Sequence, residues 1–380
     1  MTAAPEITSA RLRTMRSRLL SWYLENRRDL PWRRSRDPFA IWISESMLQQ
    51  TRVETVIPYY ERFLSRFPDV ETLADSDIED VYGLWAGLGY YSRARNLHAA
   101  AKMVVEEYGG NLPDHVDELR RLKGVGRYTA GALASIAFDR EEPLVDGNVI
   151  RVLTRWLGWR DDVSKKSVVD GLWELAGRLV QGPQPGDLNQ ALMELGATIC
   201  IPRSPKCPEC PIRRSCEARK MGDPESIPVK PRKQRVLAMR GVAAWIERKG
   251  RVLVVRREEG GLLGGMWELP GGTLEAREPL ESGLRRCLQE TLSLEVGHLE
   301  AQGQIEHLFS HRKLKLDLYR AHDARGRVHR TGLAEHRWVA PSSIEKLPHG
   351  GPTRKALALL GQGSEQSPRQ SLRTHQSQQN

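Results

Sequence analysis

Two carboxylates lie in sequence settings that can support acid chemistry. Glu45 interrupts an apolar run between Trp42 and Met47. Loss of water there would raise the pKa of the carboxyl group, so that it could hold a proton near neutral pH and act as a general acid. A solvated glutamate is the better interpretation of helical periodicity alone. The second carboxylate, Asp146, comes just before an apolar helical pattern formed by Val149, Val152, Leu153, Trp156 and Leu157.

Two glycines, Gly124 and Gly126, precede a predicted helix that runs to Phe138. Glycines permit a tight turn and leave backbone N–H groups accessible at the positive end of a helix, where a DNA phosphate can bind. Each feature alone is usually structural, because Gly-x-Gly is a common turn and an aspartate before a helix is usually an N-cap. The hairpin and Asp146 together suggest chemistry on a nucleotide.

Four of the five cysteines lie close together with the spacing C-x6-C-x2-C-x5-C, at Cys200, Cys207, Cys210 and Cys216. Four thiolates at such spacing can bind either zinc or an iron–sulfur cluster. Arginines and lysines crowd the same loop and suit DNA phosphates. The fifth cysteine, Cys287, lies on an apolar helical face and is predicted to be a core residue.

Composition places limits on the class of protein. The 380 residues carry a formal net charge of +10 and only five cysteines. The charge favours a polyanionic partner such as nucleic acid, although ribosomal and membrane-surface proteins share it. So few clustered cysteines argue against a secreted disulfide framework, and no segment approaches the ~20 apolar residues of a membrane span. We expect a soluble, intracellular monomer.

The first half of the chain has helical periodicity throughout. Helices are predicted over residues 9–30, 38–52, 53–66, 78–85 and 167–199, the last with a break at 182–187. Between them the loop Gly87–Arg95 reads Gly-Leu-Gly-Tyr-Tyr-Ser-Arg-Ala-Arg. We expect it to expose aliphatic and aromatic side chains that could wedge into a duplex, although a packed turn is an equal alternative. These elements predict an irregular all-α domain over residues 9–221.

A polar, proline-bearing linker over residues 222–236 leads to a domain whose apolar period drops to two. Strands are predicted at Val242–Ile246, at Arg251–Arg256 and around Leu316, with a helix at Leu280–Leu292. This predicts an α+β domain over 237–360. The Gln- and Ser-rich tail, 361–380, is predicted to be disordered.

The second domain resembles a Nudix fold. Residues 267–272, Trp-Glu-Leu-Pro-Gly-Gly, are followed by Glu278 and Arg286, as at the opening of a Nudix box. Where a working box carries acidic metal ligands, this chain has Cys287 and Thr291 and keeps only Glu290. Because most oxygen ligands are missing, we expect the fold to remain without the hydrolase activity.

The whole set of motifs resembles the helix-hairpin-helix (endonuclease III) superfamily of DNA glycosylases, and in particular its adenine-specific, MutY-type branch. The resemblance extends from Arg28 to about Leu360 and includes Glu45 followed by Met-Leu-Gln-Gln-Thr. It implies a [4Fe–4S] cluster on Cys200, Cys207, Cys210 and Cys216, and base excision repair of adenine paired with 8-oxoguanine or guanine in double-stranded DNA. A bacterial cytoplasmic protein associated with the nucleoid is expected.

The resemblance also implies roles for individual residues. Glu45 would protonate the adenine, Asp146 would stabilise the resulting cation, and Tyr128 and Asn148 would orient Asp146. Tyr128 occupies the place of the lysine that forms a Schiff base in bifunctional relatives, so strand cutting should be absent or weak. The binding residues implied are Trp32 and Arg33 in the adenine pocket, Gln50, Thr51, Leu88 and Tyr90 at the opened duplex, Gly124 and Gly126 at a phosphate, and Phe309, Ser310 and His311 at 8-oxoguanine.

Two other functions are compatible with the residues. One is a glycosylase for another lesion, such as an oxidised pyrimidine or a mismatched thymine, against which Tyr128 and the second domain argue. The other is a non-catalytic iron–sulfur DNA-binding protein, in which Glu45 only lies on the solvated side of its helix and Asp146 only caps a helix. An assay of base release distinguishes these functions.

Overall fold

The structure, a computed structural model, describes residues 7–229, 237–309 and 312–362. The chain forms two compact units, residues 1–233 and 234–380, and each has its own buried core. No helix in the described part of the chain is both long enough and apolar enough to cross a membrane.

The first unit is built from helices joined by short turns. Their bounds are α1 Ser9–Asn26, α2 Pro38–Leu48, α3 Val53–Arg66, α4 Val70–Ala74, α5 Ile78–Trp85, α6 Ser92–Tyr108, α7 Val116–Leu119, α8 Arg127–Ile136, α9 Gly147–Leu157, α10 Lys166–Val180, α11 Pro185–Thr198 and α12 Glu217–Lys220. The core contains large aromatic side chains that are fully buried, among them Trp42, Trp85, Trp156 and Phe63. The predicted all-α architecture is confirmed.

Helix boundaries follow capping chemistry. Helix α2 begins at Pro38 because the Asp37 carboxylate accepts the N–H groups of Phe39 and Ala40. The helix was predicted to continue to residue 52, but it ends at Leu48, and Gln50 adopts the left-handed conformation with φ 58°. The first helix also ends earlier than predicted, at Asn26, before a 3-10 turn at Pro31–Arg33.

The second unit combines strands and helices. Their bounds are β1 Leu237–Arg248, β2 Arg251–Arg257, β3 Trp267–Glu268, β4 Gly271–Thr273, α13 Leu280–Leu292, β5 Leu299–Leu308, β6 Arg312–Ala321, β7 Leu333–Val339 and α14 Gly351–Gln362. The predicted strands and the predicted helix are all present. Of the tail predicted to be disordered, residues 361 and 362 belong to α14, and residues 363–380 lie outside the described residues.

The strands form a mixed sheet in the order β3-β2-β1-β6-β5, with β4 beside β1 and β7 beside β2. Strands β1 and β6 run parallel, from the pair Leu237 and Arg312 to the pair Ile246 and Ala321. Helix α13 covers one face with Leu284 and Leu288, and α14 contributes Leu360 to the core on the other face. Alternating side chains of β1 therefore enter two apolar layers.

The Nudix-like segment keeps a structural ion pair. Arg286 donates to the Glu278 carboxylate at 2.7 Å and to Glu290 at 2.9 Å. Cys287 is buried, and a Cβ added to Gly272 would lie 2.6 Å from its sulfur. The prediction that Cys287 is a core residue is confirmed.

Candidate active site

Glu45 lies on α2 with its carboxyl group buried in the helical unit. The residue is 6% exposed, and its Oε2 accepts a hydrogen bond of 2.9 Å from the Tyr128 hydroxyl. Burial raises the pKa of Glu45 to about 7, the Tyr128 hydrogen bond opposes this rise, and the negative charge of Asp146 adds to it. A carboxyl group with this pKa is partly protonated at neutral pH and can give up a proton there.

Asp146 is the N-cap of α9. Its Oδ1 accepts the backbone N–H of Val149 at 2.7 Å, and its Oδ2 accepts the side-chain amide of Asn148 at 2.9 Å. Burial raises the pKa of this carboxyl group, but both hydrogen bonds oppose the rise because they stabilise the charged form. Among the residues that the structure describes, Glu45 has one such donor, the Tyr128 hydroxyl, so the two carboxyl groups lie in different environments.

Tyr128 lies in the first turn of α8, directly after the glycine hairpin. Besides its hydrogen bond to Glu45, its hydroxyl lies 3.2 Å from the sulfur of Met193. The phenol therefore contacts Glu45, whereas Asn148 is the side chain that donates to Asp146.

The hairpin before α8 depends on glycine at one position. Gly124 has φ +81°, and an added Cβ would lie 2.8 Å from the Cβ of Asn96. Gly126 has an ordinary φ of −86°, and nothing lies within 4 Å of an added Cβ. Both glycines are exposed at the start of α8, where backbone N–H groups suit a phosphate.

Trp32 and Arg33 lie in the 3-10 turn after α1, and Trp32 packs edge-on against Tyr60. Arg33 donates to Glu194, which is 1% exposed and also binds Arg28 at 2.7 Å. Burial would raise the pKa of Glu194, but the two arginines lower it to about 2. Sequence reasoning missed Glu194, although its setting in Leu-Met-Glu-Leu, a carboxylate in an apolar run, is the signal that identified Glu45.

The residues predicted to face an opened duplex differ in exposure. Gln50 is exposed and Thr51 is half-buried at the end of α2, while Tyr90 is 49% exposed with φ 51°. Leu88 was expected to be exposed as well, but it is 6% exposed. The left-handed turns on either side of Leu88 place its side chain inward and that of Tyr90 outward.

In the second unit, Phe309 follows β5. Its ring lies edge-on to His307, with centroids 4.6 Å apart, and its N–H donates to the carbonyl of Arg312. Ser310 and His311 lie outside the described residues.

Four cysteines, Cys200, Cys207, Cys210 and Cys216, line one small cavity together with arginine side chains. Arg155 is buried beside it, and its Nη1 lies 3.6 Å from the sulfur of Cys200. Within the described residues, no group of three or more His, Cys, Asp or Glu side chains is arranged to hold a metal ion. Four thiols around one cavity, next to a buried cation, are nevertheless a donor set that suits an anionic iron–sulfur cluster.

Helix α9 connects Asp146 to the cysteine loop. Arg151, one turn after Asn148, donates to the Asn148 side-chain oxygen at 2.8 Å and to the carbonyl of Cys200 at 2.7 Å. One turn later, Arg155 donates to the carbonyls of Ile201 and Ile227. A continuous set of hydrogen bonds thus runs from the Asp146 carboxylate to the loop.

Comparison with known proteins identifies the family. Residues 43–178 match the HhH-GPD superfamily of base excision DNA repair proteins, and residues 241–359 match the NUDIX domain. The chain is 40% identical over 361 residues to the adenine DNA glycosylase of Mus musculus, covering 80% of this chain and 70% of the mouse protein. The chain belongs to the adenine DNA glycosylase family. The Schizosaccharomyces pombe member is 31% identical over 371 residues, with 80% of each chain covered.

Among solved structures, a thermostable thymine-DNA glycosylase is similar to the helical part of this adenine DNA glycosylase family member. The two are 32% identical with a TM-score of 0.52, over 57% of this chain and 100% of that structure. The predicted combination of a helix-hairpin-helix glycosylase fold and a Nudix-like second domain is therefore confirmed. The chain is a DNA N-glycosylase that excises adenine in base excision repair, and it binds DNA.

In this adenine DNA glycosylase, the two carboxyl groups suit opposite tasks. Glu45 can hold a proton near neutral pH because burial raises its pKa to about 7, and the Tyr128 phenol opposes that rise. Asp146 accepts two N–H donors at a helix start, where a negative charge is favoured. One group can therefore donate a proton while the other remains an anion.

Proposed function

We propose that this chain removes adenine paired with 8-oxoguanine or guanine in duplex DNA, without cutting the strand. The observation that carries the proposal is the buried Glu45 carboxyl group, with a pKa of about 7, close enough to Asp146 for that charge to raise its pKa. In this proposal residues 9–221, with the cysteine loop at 200–216, form the catalytic domain. Residues 222–236 are the linker, and 237–360 read the opposite base.

The first step is proton transfer to a flipped adenine. The base leaves the duplex stack and enters a pocket bordered by Trp32 and Arg33, which the buried Glu194 holds in place. Protonated Glu45 gives its proton to N7 of the adenine. The electron pair of the N-glycosidic bond moves into the base, and the sugar becomes an oxocarbenium ion.

The second step consumes that cation. The Asp146 carboxylate, held by Val149 and Asn148, stabilises it by charge or by transient covalent capture. Deprotonated Glu45 then accepts a proton from water as the water oxygen attacks the anomeric carbon. The products are free adenine and an abasic site, and Glu45 regains the proton that it donated.

Strand cutting by β-elimination needs an amine that forms a Schiff base with the sugar. Tyr128 follows the hairpin where bifunctional relatives carry that lysine, and its phenol is engaged with Glu45. A phenol cannot form a Schiff base, so the abasic strand should remain intact.

Contacts to the opened duplex, to the DNA backbone and to the opposite base are assigned to separate sets of residues. Gln50, Thr51 and Tyr90 would engage the opened duplex, and Leu88 would have to swing out of its buried position to join them. Gly124 and Gly126 would hold a backbone phosphate. Phe309, followed by Ser310 and His311, would read 8-oxoguanine by stacking and hydrogen bonds.

The cofactor in this proposal is a [4Fe–4S] cluster held by Cys200, Cys207, Cys210 and Cys216. When bound, it would shape a cationic loop for the DNA backbone and contribute no atom to the glycosidic chemistry. Arg151 binds both the loop and Asn148, so it would hold Asn148, and through it Asp146, at a fixed position relative to the loop. A DNA substrate would place the protein at the nucleoid of a bacterial cell.

The test is single-turnover base release from matched duplexes, with and without alkali. The duplexes carry A opposite 8-oxoguanine, A opposite G, A opposite T, T opposite G, and 8-oxoguanine opposite C. Cutting at adenine in the first two, visible only after alkali, is the expected result. The Phe309→Ala variant should lose more rate on the first duplex than on the second, which serves as its internal control.

Each other result favours a specific alternative. Release of thymine opposite G would favour the activity named for the similar thymine-DNA glycosylase structure. Cutting without alkali would show that Tyr128 does not exclude lyase chemistry. Binding without release from any duplex would contradict the proposed specificity and mechanism.

A further inference from the structure

Arg93 lies between the two segments that the proposed function assigns to the opened duplex. It is the second residue of α6, directly after the loop that carries Leu88 and Tyr90. A cation in the first turn of a helix is unfavourable for the helix dipole. The contacts that the Arg93 guanidinium makes outside α6 therefore explain why an arginine stands at this position.

One terminal nitrogen of Arg93 binds the end of the catalytic helix. Its Nη1 donates to the carbonyl oxygens of Ser46 at 3.0 Å, Met47 at 2.8 Å and Gln49 at 2.6 Å. These are carbonyls of the last turn and C-cap of α2, which lack partners within the helix and carry its negative dipole end. Glu45 directly precedes Ser46, so this contact lies one residue from the proposed acid.

The other terminal nitrogen binds the loop. Nη2 donates to the carbonyls of Leu88 at 3.2 Å and Gly89 at 3.0 Å, and to the hydroxyl of Thr51 at 3.2 Å. The guanidinium also lies 5.6 Å from the ring centroid of Tyr90 and 5.4 Å from that of Trp85. One planar group thus fixes the loop at residues 87–91, here called the wedge loop, against the end of α2.

Two further features describe the surroundings of the Arg93 guanidinium. Within the described part of the chain, the buried Nε atom of Arg93 has no hydrogen-bond partner, a cost that the other contacts must offset. Burial lowers the pKa of Arg93 to about 10, which still leaves the guanidinium charged at neutral pH while it donates to carbonyl oxygens of α2 and of the loop. A lysine would place a single ammonium there and could not reach acceptors on both sides with a planar fork.

We infer that Arg93 is a positioning residue that couples insertion of the wedge loop into DNA to the placement of Glu45. When the duplex engages Tyr90, movement of the Leu88 and Gly89 carbonyls shifts the guanidinium and, with it, the last turn of α2. The acid reaches its working position only when the wedge is seated. This inference rests on the proposed role of the loop in opening the duplex.

A double-variant experiment tests the coupling. Single-turnover rates are measured on A opposite 8-oxoguanine for the wild type, Arg93→Lys, Tyr90→Ala and the double variant. Affinities are measured in parallel with a duplex whose adenosine carries a 2′-fluorine, which slows bond breakage. Arg66→Lys is the control, since Arg66 is an exposed arginine that pairs with Asp80.

We expect Tyr90→Ala to cost about tenfold less in rate when Arg93 is already lysine, because coupled residues are not additive. For affinity, the fold-loss of the double variant should equal the product of the fold-losses of the two single variants. If the fold-loss in rate of the double variant also equals that product, the coupling is overturned. If Tyr90→Ala alters neither rate nor affinity with Arg93 intact, the proposed role of the loop is wrong instead.

A second measurement keeps Arg93 in place, in case Arg93→Lys fails to fold. Hydrogen exchange of the amides of residues 47–51 is compared between the wild type and Tyr90→Ala, each bound to the fluorinated duplex. Loss of the wedge should speed exchange at the end of α2. Unchanged exchange there would show that the loop and the helix respond separately, and the inference would fail.

Discussion

The hydroxyl of Tyr128 donates a hydrogen bond of 2.9 Å to Oε2 of Glu45, so the residue in the first turn of α8 contacts the proposed acid. This bond stabilises the charged carboxylate and limits how far burial raises the pKa of Glu45. Burial and this contact therefore act in opposite directions on the pH range over which the acid holds its proton. It also leads to a direct kinetic test.

Tyr128→Phe should move the pH dependence of excision upward. Glu45 is protonated below its pKa of about 7, so the wild-type rate should fall as pH rises through 7. Removing the hydroxyl removes a contact that lowers this pKa, and the falling limb should move by about one pH unit. Single-turnover rates from pH 5 to 9 measure the shift, and Glu45→Gln should remove both the limb and most of the rate. An unmoved limb in Tyr128→Phe would exclude Glu45 as the titrating acid.

Asp146→Asn should separate structure from chemistry. The amide oxygen can still accept the Val149 N–H, so the start of α9 and duplex binding should be kept. The negative charge is lost, and base release should fall by about 10²–10³-fold. Asp77→Asn, which changes the exposed N-cap of α5, is the control and should keep its rate. A normal single-turnover rate in Asp146→Asn would make Asp146 a helix cap only.

Glu194→Gln should destabilise the helical unit. The change leaves the Arg33 side chain, which is 10% exposed, without its carboxylate, and loss of one partner of a buried pair costs about 3–5 kcal/mol. The pKa of Glu194, about 2, lies below its usual 4.5, so its stabilising contribution is present above pH 4.5 and is lost as pH falls toward 2. Urea unfolding at pH 7 and pH 3 should therefore show a larger difference between variant and wild type at pH 7. Asp29→Asn, in an exposed pair with Arg34, should change little, and equal effects of the two variants would contradict the buried-pair account.

Cys207→Ser should remove the proposed cluster. The variant should lose bound iron, sulfide and visible absorbance, because one of four thiolate ligands is missing. Cys287→Ser is the matched control, since Cys287 is a buried core residue of the second unit and lies outside the C-x6-C-x2-C-x5-C motif. Metal analysis and absorbance spectra decide the result. If metal analysis finds zinc and no iron in the wild-type protein, the four cysteines form a zinc site and the proposed cluster is wrong.

Local sequence patterns predicted most of the fold because turns, helix caps and strand alternation depend on interactions between residues that are close in the sequence. The glycine of the hairpin, the N-cap at Asp146 and the alternating strands are all readable from neighbouring residues. Glu194 was missed because its arginine partner lies 166 positions away, and no local pattern specifies that pairing. The early end of α2 was missed because Arg93, on another helix, binds its last carbonyls. The inward position of Leu88 depends on the left-handed turns around it.

The parallel pairing of β1 with β6 has a consequence for how the protein is made. Residue 237 pairs with residue 312, so the central strands of the second unit cannot pair until the ribosome has released the chain as far as β6. The helical unit precedes it in the chain, and its short connections let neighbouring helices fold during synthesis. The nascent second unit therefore spends longer with unpaired strand edges. Substitutions that weaken its sheet should lower the yield of folded protein in the cell before they change the rate of excision.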